Sequence, residues 1–235
     1  MTALSINTSV DLPIVKFQSN ERIECLRNGK VYLRNLSWFR KREKKTGDMT
    51  VGDMYEGMLH IANGNAKITC LSENPLSDYD IIKESAFETV FSNSYAFCAT
   101  DTTPHETGYA FNKQNKVELR KFGDTALVIN DRIEFIKRIE NKARTLGFKT
   151  FYGLVRYYNN DIDPAEMYVD LLRGIQNIAL WKRDSYYFQK EFRIVLWKKD
   201  AYEDHLELDI GEISDISNIF TAEEALSMHL ERHVK

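Results

Sequence analysis

The chain has 235 residues with 43% hydrophobic content, enough for one large domain or two small ones with a buried core and no need of staples. A net charge of -3 with a pI near 6.0 excludes a global electrostatic drive toward nucleic acid or anionic membrane, so any such contact must rest on a local patch. The three widely spaced cysteines, Cys25, Cys70 and Cys98, point to reduced core thiols. With no leader pattern at the N-terminus and no run of about 18 apolar residues, a cytoplasmic protein without a membrane span is expected.

Residues 1–11 are small and polar and read as a flexible lead-in to a single domain over residues 12–235. Ile14 to Phe17 opens the first strand, and Asn20 to Arg27 is a short helix with Ile23 and Leu26 on one side, ended by Asn28-Gly29. Lys30 to Leu36 is a strand whose alternation puts Arg34 on the face of Tyr32 and Leu36, opposite Val31, Leu33 and Asn35. Ser37 is placed to cap a short helix through Trp38 and Phe39. A basic run from Arg40 to Lys45 and a glycine-punctuated acidic loop from Gly47 to Gly57 follow. Met58 to Ala62 and Ala66 to Leu71 are predicted to form a hairpin on Asn63-Gly64. The second half of Phe91 to Thr100 is a central strand, and Asp101 to Lys121 reads as a loop with one helical turn.

Asp124 to Asn130 is again a strand. Asp131 and Glu134 suggest a capping box for a helix in which Ile133, Ile136, Ile139, Ala143 and Leu146 keep helical spacing as far as Gly147. Phe148 to Tyr158 is a strand, and Asp163-Pro164 starts a helical region broken near Gly174 and resuming toward Tyr187. Phe192 to Trp197 and His205 to Ile210 are strands, and Thr221 with Glu224 caps a last helix carrying Ala225, Leu226 and Leu230. Strands and helices in no regular alternation predict an α+β domain, with a central antiparallel or mixed sheet flanked by helices.

Chemistry concentrates between Tyr187 and Leu196. In an extended strand Gln189, Glu191 and Arg193 share one side at ~6.6 Å steps, while Phe192 and Ile194 take the other. A carboxylate at the head of such a strand, half-buried beside Arg193 or Lys190, stays ionised. In a cleft it can stabilise an oxocarbenium ion or hold a ribose hydroxyl; on a packed sheet it can equally be half of a structural ion pair. No glycine-rich phosphate loop, dinucleotide fingerprint, nucleophile elbow or cysteine-histidine spacing occurs, which disfavours P-loop, Rossmann and serine hydrolase chemistry.

Gln189-Lys190-Glu191 leading into a strand resembles the last motif of the ADP-ribosyltransferase fold, whose members also carry an arginine on an early strand and a Ser-x-Ser segment opening a middle strand. Arg34 and Ser92-Asn93-Ser94 keep that order. The resemblance implies an NAD-dependent enzyme that cleaves the nicotinamide glycosidic bond. Arg34 would bind the NAD phosphates, Ser92 and Ser94 would brace the site, Glu191 would hold the nicotinamide ribose and Gln189 would orient the acceptor. Asn93 stands where the family has threonine, and the stretch from Ser94 to Gln189 is long for compact members. Phe39 to Glu43, Gly52-Asp53, Glu56-Gly57 and Tyr187 to Ile194 also resemble an uncharacterised family of bacterial and phage proteins. That resemblance implies a prokaryotic or phage origin and a part in phage-host conflict, as defence or counter-defence.

The competing expectation is a non-catalytic module that captures a nucleotide or a host protein through the Trp38 to Gly57 segment. Trp38 and Phe39 would stack on a ring, and Arg42, Glu43, Asp53 and Glu56 would supply polar contacts. Glu43, Asp48, Asp53 and Glu56 also offer oxygen ligands to a hard cation, but their spacing fits no calcium-loop pattern. His229 and His233 lack the zinc-protease glutamate, so no metal is assigned. The basic run reads as a solvated helix surface, and nucleic acid is not an expected partner.

Overall fold

The computed structural model describes residues 12–47, 50–59, 94–103, 109–159, 165–199 and 202–229, and the backbone alone of 67–68 and 79–80. Among the sequence expectations, the lead-in, the Asn63-Gly64 turn, Asp48, Cys70, Ser92, Asn93, Leu230 and His233 lie outside the described residues.

In chain order the elements are β1 (Ile14–Gln18), α1 (Asn20–Arg27), β2 (Lys30–Asn35), α2 (Leu36–Thr46), β3 (Lys67–Ile68), β4 (Tyr79–Asp80) and β5 (Ser94–Asp101). After these come α3 (Lys113–Leu119), β6 (Thr125–Ile129), α4 (Arg132–Thr145), β7 (Lys149–Leu154), β8 (Arg156–Tyr158), α5 (Ala165–Arg173) and β9 (Trp181–Arg183). The chain closes with β10 (Glu191–Trp197), β11 (His205–Asp209), β12 (Ser217–Thr221) and α6 (Ala222–Leu226). Two 3-10 segments, Ile175–Leu180 and Asp184–Gln189, flank β9.

β5 is the axis of an α+β fold. β10 pairs antiparallel with it from Glu191↔Thr100 to Trp197↔Ser94, taking one whole edge, and β7 pairs with the far side of β10. The other edge is shared: β1 takes only Thr100 and Asp101, and β2 takes only Ala96 and Tyr95. The sheet therefore forks, one arm running β1-β6-β12 and the other β2-β11, and its 8 strands are antiparallel throughout. The Cys98 carbonyl lies between the arms, where a ladder partner is missing. Lys16 Nζ donates to it at 2.6 Å, so a side chain satisfies the backbone group that the fork would strand.

Alternation along β5 and β10 sorts side chains onto two faces. On one, Tyr95, Phe97, Phe192, Ile194 and Leu196 pack with Ile23 and Leu26 of α1 and with Phe135, Ile136 and Ile139 of α4. The other face has two apolar ends. Ala96 and Val195 join Leu36, Met167, Ile178 and Trp181 at one, while Val15, Phe17, Ala126 and Val128 join Leu119 of α3 and Ala225 of α6 at the other. Between them Cys98, Thr100, Glu191 and Arg193 form a polar strip.

Several local expectations are corrected. Asn35, rather than Ser37, caps α2: its side chain accepts from the Ser37 N–H at 2.9 Å, and the helix runs through the basic run until Gly47 takes a left-handed φ of 67°. A capping box of Asn112 and Asn115 starts α3 in what reads as loop, with an asparagine doing the work usually given to glutamate. On α4 the cap is one-sided. Asp131 accepts from the Glu134 N–H at 2.8 Å, but the Glu134 carboxylate turns to Arg138 at 3.0 Å, and Ile133 and Leu146 are exposed while Phe135 is in the core. The Phe148 to Tyr158 strand breaks at Val155, whose N–H meets the Glu191 carbonyl at 2.8 Å as the last rung beside β10; β8 then pairs parallel with β9. Cys25 is exposed on α1 and is no core thiol, while Cys98 is half-buried; both are free. Lys67–Ile68 pairs with Tyr79–Asp80.

Candidate functional site

The strand β10 starts later than an extended reading requires. Gln189 ends the 3-10 segment, and Lys190 takes φ 43°, making it the sole non-glycine in the left-handed region among the described residues. Such a conformation costs about 1–3 kcal/mol and persists only where its surroundings hold it. Here Lys190 Nζ donates to Thr103 O at 2.5 Å and to Ala110 O at 2.8 Å. Lys190 is thereby spent on backbone and does not pair with Glu191. Its bend brings Gln189 Oε1 and Glu191 Oε2 to one ammonium: Lys182 Nζ donates to them at 2.7 and 3.0 Å.

Arg193, two residues along the strand from Glu191, donates from Nε to Glu191 Oε1 at 2.6 Å and from Nη1 to Ala179 O at 2.6 Å. Its Nη1 also lies 2.6 Å from Glu56 Oε1, and Lys182 stands 3.8 Å from Glu56 Oε2. A second knot backs the first. Arg183 Nη2 donates to both Glu43 oxygens at 2.9 and 2.7 Å and its Nε to Asp53 Oδ1 at 2.9 Å, while the Tyr186 hydroxyl donates to Gly52 O at 2.6 Å. Glu43, Asp53 and Glu56, expected as surface contacts or cation ligands, are 9%, 1% and 1% exposed and clamp the acidic loop to the sheet. Among the described residues no group of three His, Cys, Asp or Glu could hold a metal ion.

Burial by itself would lift the Glu191 carboxyl, but Arg193 and Lys182 hold it well below the usual carboxylate range. For Glu56 burial wins and lifts the carboxyl above its ordinary value against the pull of Arg193 and Lys182. The Lys182 ammonium is destabilised by burial yet raised on balance by Glu191 and Glu56.

A cavity of about 720 Å³ opens over the polar strip, within the roughly 300–1,000 Å³ of small-molecule sites. Cys98, Thr100, Glu191 and Arg193 form its floor, and Ile23 of α1 is reached through the fork. Trp38, Phe39 and Arg42 of α2 stand on one side, with Leu119 and Phe122 on the other. Arg34, Gln189 and Glu56 also line it, so most residues of the two competing sequence expectations meet in one place. Glu43 and Asp53 lie behind the wall. Ser94 is fully buried and does not line the cavity: it pairs with Trp197 while Glu191 pairs with Thr100, roughly 20 Å along the strand.

The Arg34 guanidinium lies over the Tyr32 ring at 4.9 Å and the Trp38 ring at 4.3 Å, and His205 stacks on Tyr32 at 5.0 Å. Among the described residues Arg34 has neither a carboxylate nor a carbonyl partner. Ring contacts engage the guanidinium face and leave its in-plane N–H donors for an anion.

Burial, with the Glu191 charge next, pushes the Cys98 thiol up to about 12. At pH 8 only about one molecule in 10⁴ would carry the reactive thiolate. Iodoacetamide at pH 8 should therefore modify exposed Cys25 and spare Cys98 in the folded protein, read by mass spectrometry of peptides. Comparable labelling of both would show that the Glu191 environment is open.

Lys182, Arg183 and Lys16 escape sequence reasoning. The first two sit in Ile178-Ala179-Leu180-Trp181-Lys182-Arg183, where a basic pair straight after an apolar run is the only signal and nothing names its partners. No protein-family model, curated protein or solved structure matches the chain. Among the described residues no helix is long and apolar enough to cross a membrane.

Proposed function

We propose that the protein binds NAD or a closely similar nucleotide in this cavity and acts as an ADP-ribosyltransferase-like enzyme on the nicotinamide glycosidic bond. One observation carries this reading: Arg34, Gln189 and Glu191, drawn from distant parts of the chain, line a single cavity with an aromatic rim. Arg34 offers in-plane donors to a diphosphate, and Phe39 on the rim offers an apolar contact to a ring, the Trp38 ring being covered by Arg34 and Arg42. Glu191 is ionised and immobile. Because Arg193 and Lys182 already neutralise much of its charge, holding a ribose hydroxyl suits it better than acting as a bare counter-ion to an oxocarbenium. The blocks that resemble bacterial and phage proteins favour, on this reading, a cytoplasmic role in phage-host conflict, with a host protein as one candidate acceptor.

Calorimetric titration with NAD tests the reading. Arg34→Ala should weaken binding at least tenfold, in line with about 1.5–3 kcal/mol for a charged hydrogen bond, with only a fall of a few degrees in the thermal midpoint, since Arg34 stands outside the buried network but packs on Tyr32 and Trp38. Absence of NAD binding by the unaltered protein, or equal affinity in the variant, rejects it. The neutralised state of Glu191 favours a second reading, a nucleotide-binding module without catalysis; NAD binding with no nicotinamide released would select that one.

A further inference from the structure

We propose that Lys16 is a second anion anchor of the cavity, holding a phosphate-class group of the ligand in the fork where β1 and β2 part, a proposal that rests on the nucleotide reading. β1 pairs with β6 along all five residues, so Lys16 is carried on a rigid element. Its ammonium reaches into the fork and lines the cavity. The Cys98 carbonyl takes one of its three donors, the Phe97 ring lies 5.3 Å away, and among the described residues no carboxylate pairs with it.

A lysine in this position is costly. Burial lowers its affinity for a proton, with Cys98 and Glu191 opposing and Arg22 adding to the effect. A glutamine could donate to the stranded carbonyl, and a methionine could fill the fork, without desolvating a charge. A desolvated cation facing a cavity, with no carboxylate in contact among the described residues, is what an incoming anion completes. Arg34 stands on the other arm. It pairs with Ala96, one two-residue step of ~6.8 Å along β5 from the Cys98 carbonyl that Lys16 holds. Two cations that have no acidic partner among the described residues thus straddle the fork, while Glu191 and Gln189 lie toward the β10 edge. That arrangement sets a polarity: phosphates over the fork, and the sugar to be cleaved toward β10.

The unaltered protein and Lys16→Met are titrated calorimetrically with inorganic pyrophosphate and with NAD. Methionine keeps the stem against Phe97 and removes the charge. Both ligands should bind the variant at least tenfold more weakly per folded molecule, the folded fraction being read from the thermal transition because the Cys98 carbonyl loses its donor while the cost of burying the charge is removed. Equal NAD affinity in the two proteins overturns the role of Lys16 and leaves the nucleotide reading standing. Lys16-dependent pyrophosphate binding without NAD binding supports Lys16 and rejects NAD as the ligand. Failure of both ligands to bind the unaltered protein overturns both. A measurement on the unaltered chain is independent of the variant's folding: pyrophosphate should slow acetylation of Lys16 by acetic anhydride several-fold and leave exposed Lys41 and Lys44 unchanged. An unchanged Lys16 rate overturns the proposal.

Discussion

Arg193→Leu is expected to destabilise the protein by about 3–5 kcal/mol at pH 7, measured by urea denaturation, because it strands two buried carboxylates at once. Arg193 is 1% exposed and holds Glu191, Glu56 and the Ala179 carbonyl, each at 2.6 Å. Those contacts join three parts of the fold: strand β10, the acidic loop and the 3-10 segment before β9. Lys182 cannot replace it, being a single ammonium already shared between Gln189 and Glu191. Arg193→Lys should give an intermediate loss, since lysine keeps the charge and forfeits the fork of donors. The pH dependence has a defined sign. Glu191 is held below its unfolded value of about 4.3, so its pairing stabilises above that pH and is lost as pH falls; the gap between unaltered and variant protein should narrow in acid. A loss under about 1 kcal/mol at pH 7 would falsify the structural role given to Arg193.

What could be read from the residues alone was whatever obeys short-range rules. The alternation of Val31 and Leu33 against Tyr32 and Arg34 follows from the pleat, and Asn28-Gly29 ends α1 because Gly29 takes φ 86° with its α-carbon pressed on Gly211, where a Cβ would lie 2.0 Å from the carbonyl oxygen. The Glu191–Arg193 pair was legible for the same reason, two residues apart on one strand face. The left-handed turn at Lys190 was not. No glycine marks it, and the carbonyls that hold Lys190, those of Thr103 and Ala110, are far away in sequence, so pattern alone puts Gln189 on the strand that it precedes. β12 carries no sequence signal, because an edge strand with only Ile219 and Phe220 in its middle lacks the apolar run of a buried one. The fork has no local signature at all. It arises because β1 and β2 each take two residues of the same β5 edge, and Lys16 acquires meaning only once that gap exists.

On the proposed reading, Glu191→Gln should lower nicotinamide release per folded molecule by about 100-fold or more, while the affinity for NAD changes by less than about threefold. Glutamine matches the glutamate in size, and its amide oxygen can still accept from Lys182 or Arg193. Its amide nitrogen, however, must face one of the donors that now point at Glu191 Oε1 and Oε2, and the net charge of the knot rises by one. Some stability is therefore lost, and turnover has to be normalised to the folded fraction from the thermal transition. That normalisation separates the two roles open to this carboxylate. If Glu191 only ties β10 to Lys182 and Arg193, the surviving folded molecules turn over at the original rate, and all of the defect lies in their number. If it holds the ribose hydroxyl as the bond breaks, folded molecules bind NAD and fail to cleave it, because Arg34 and Lys16 on the fork still anchor the phosphates while the sugar end has lost its acceptor.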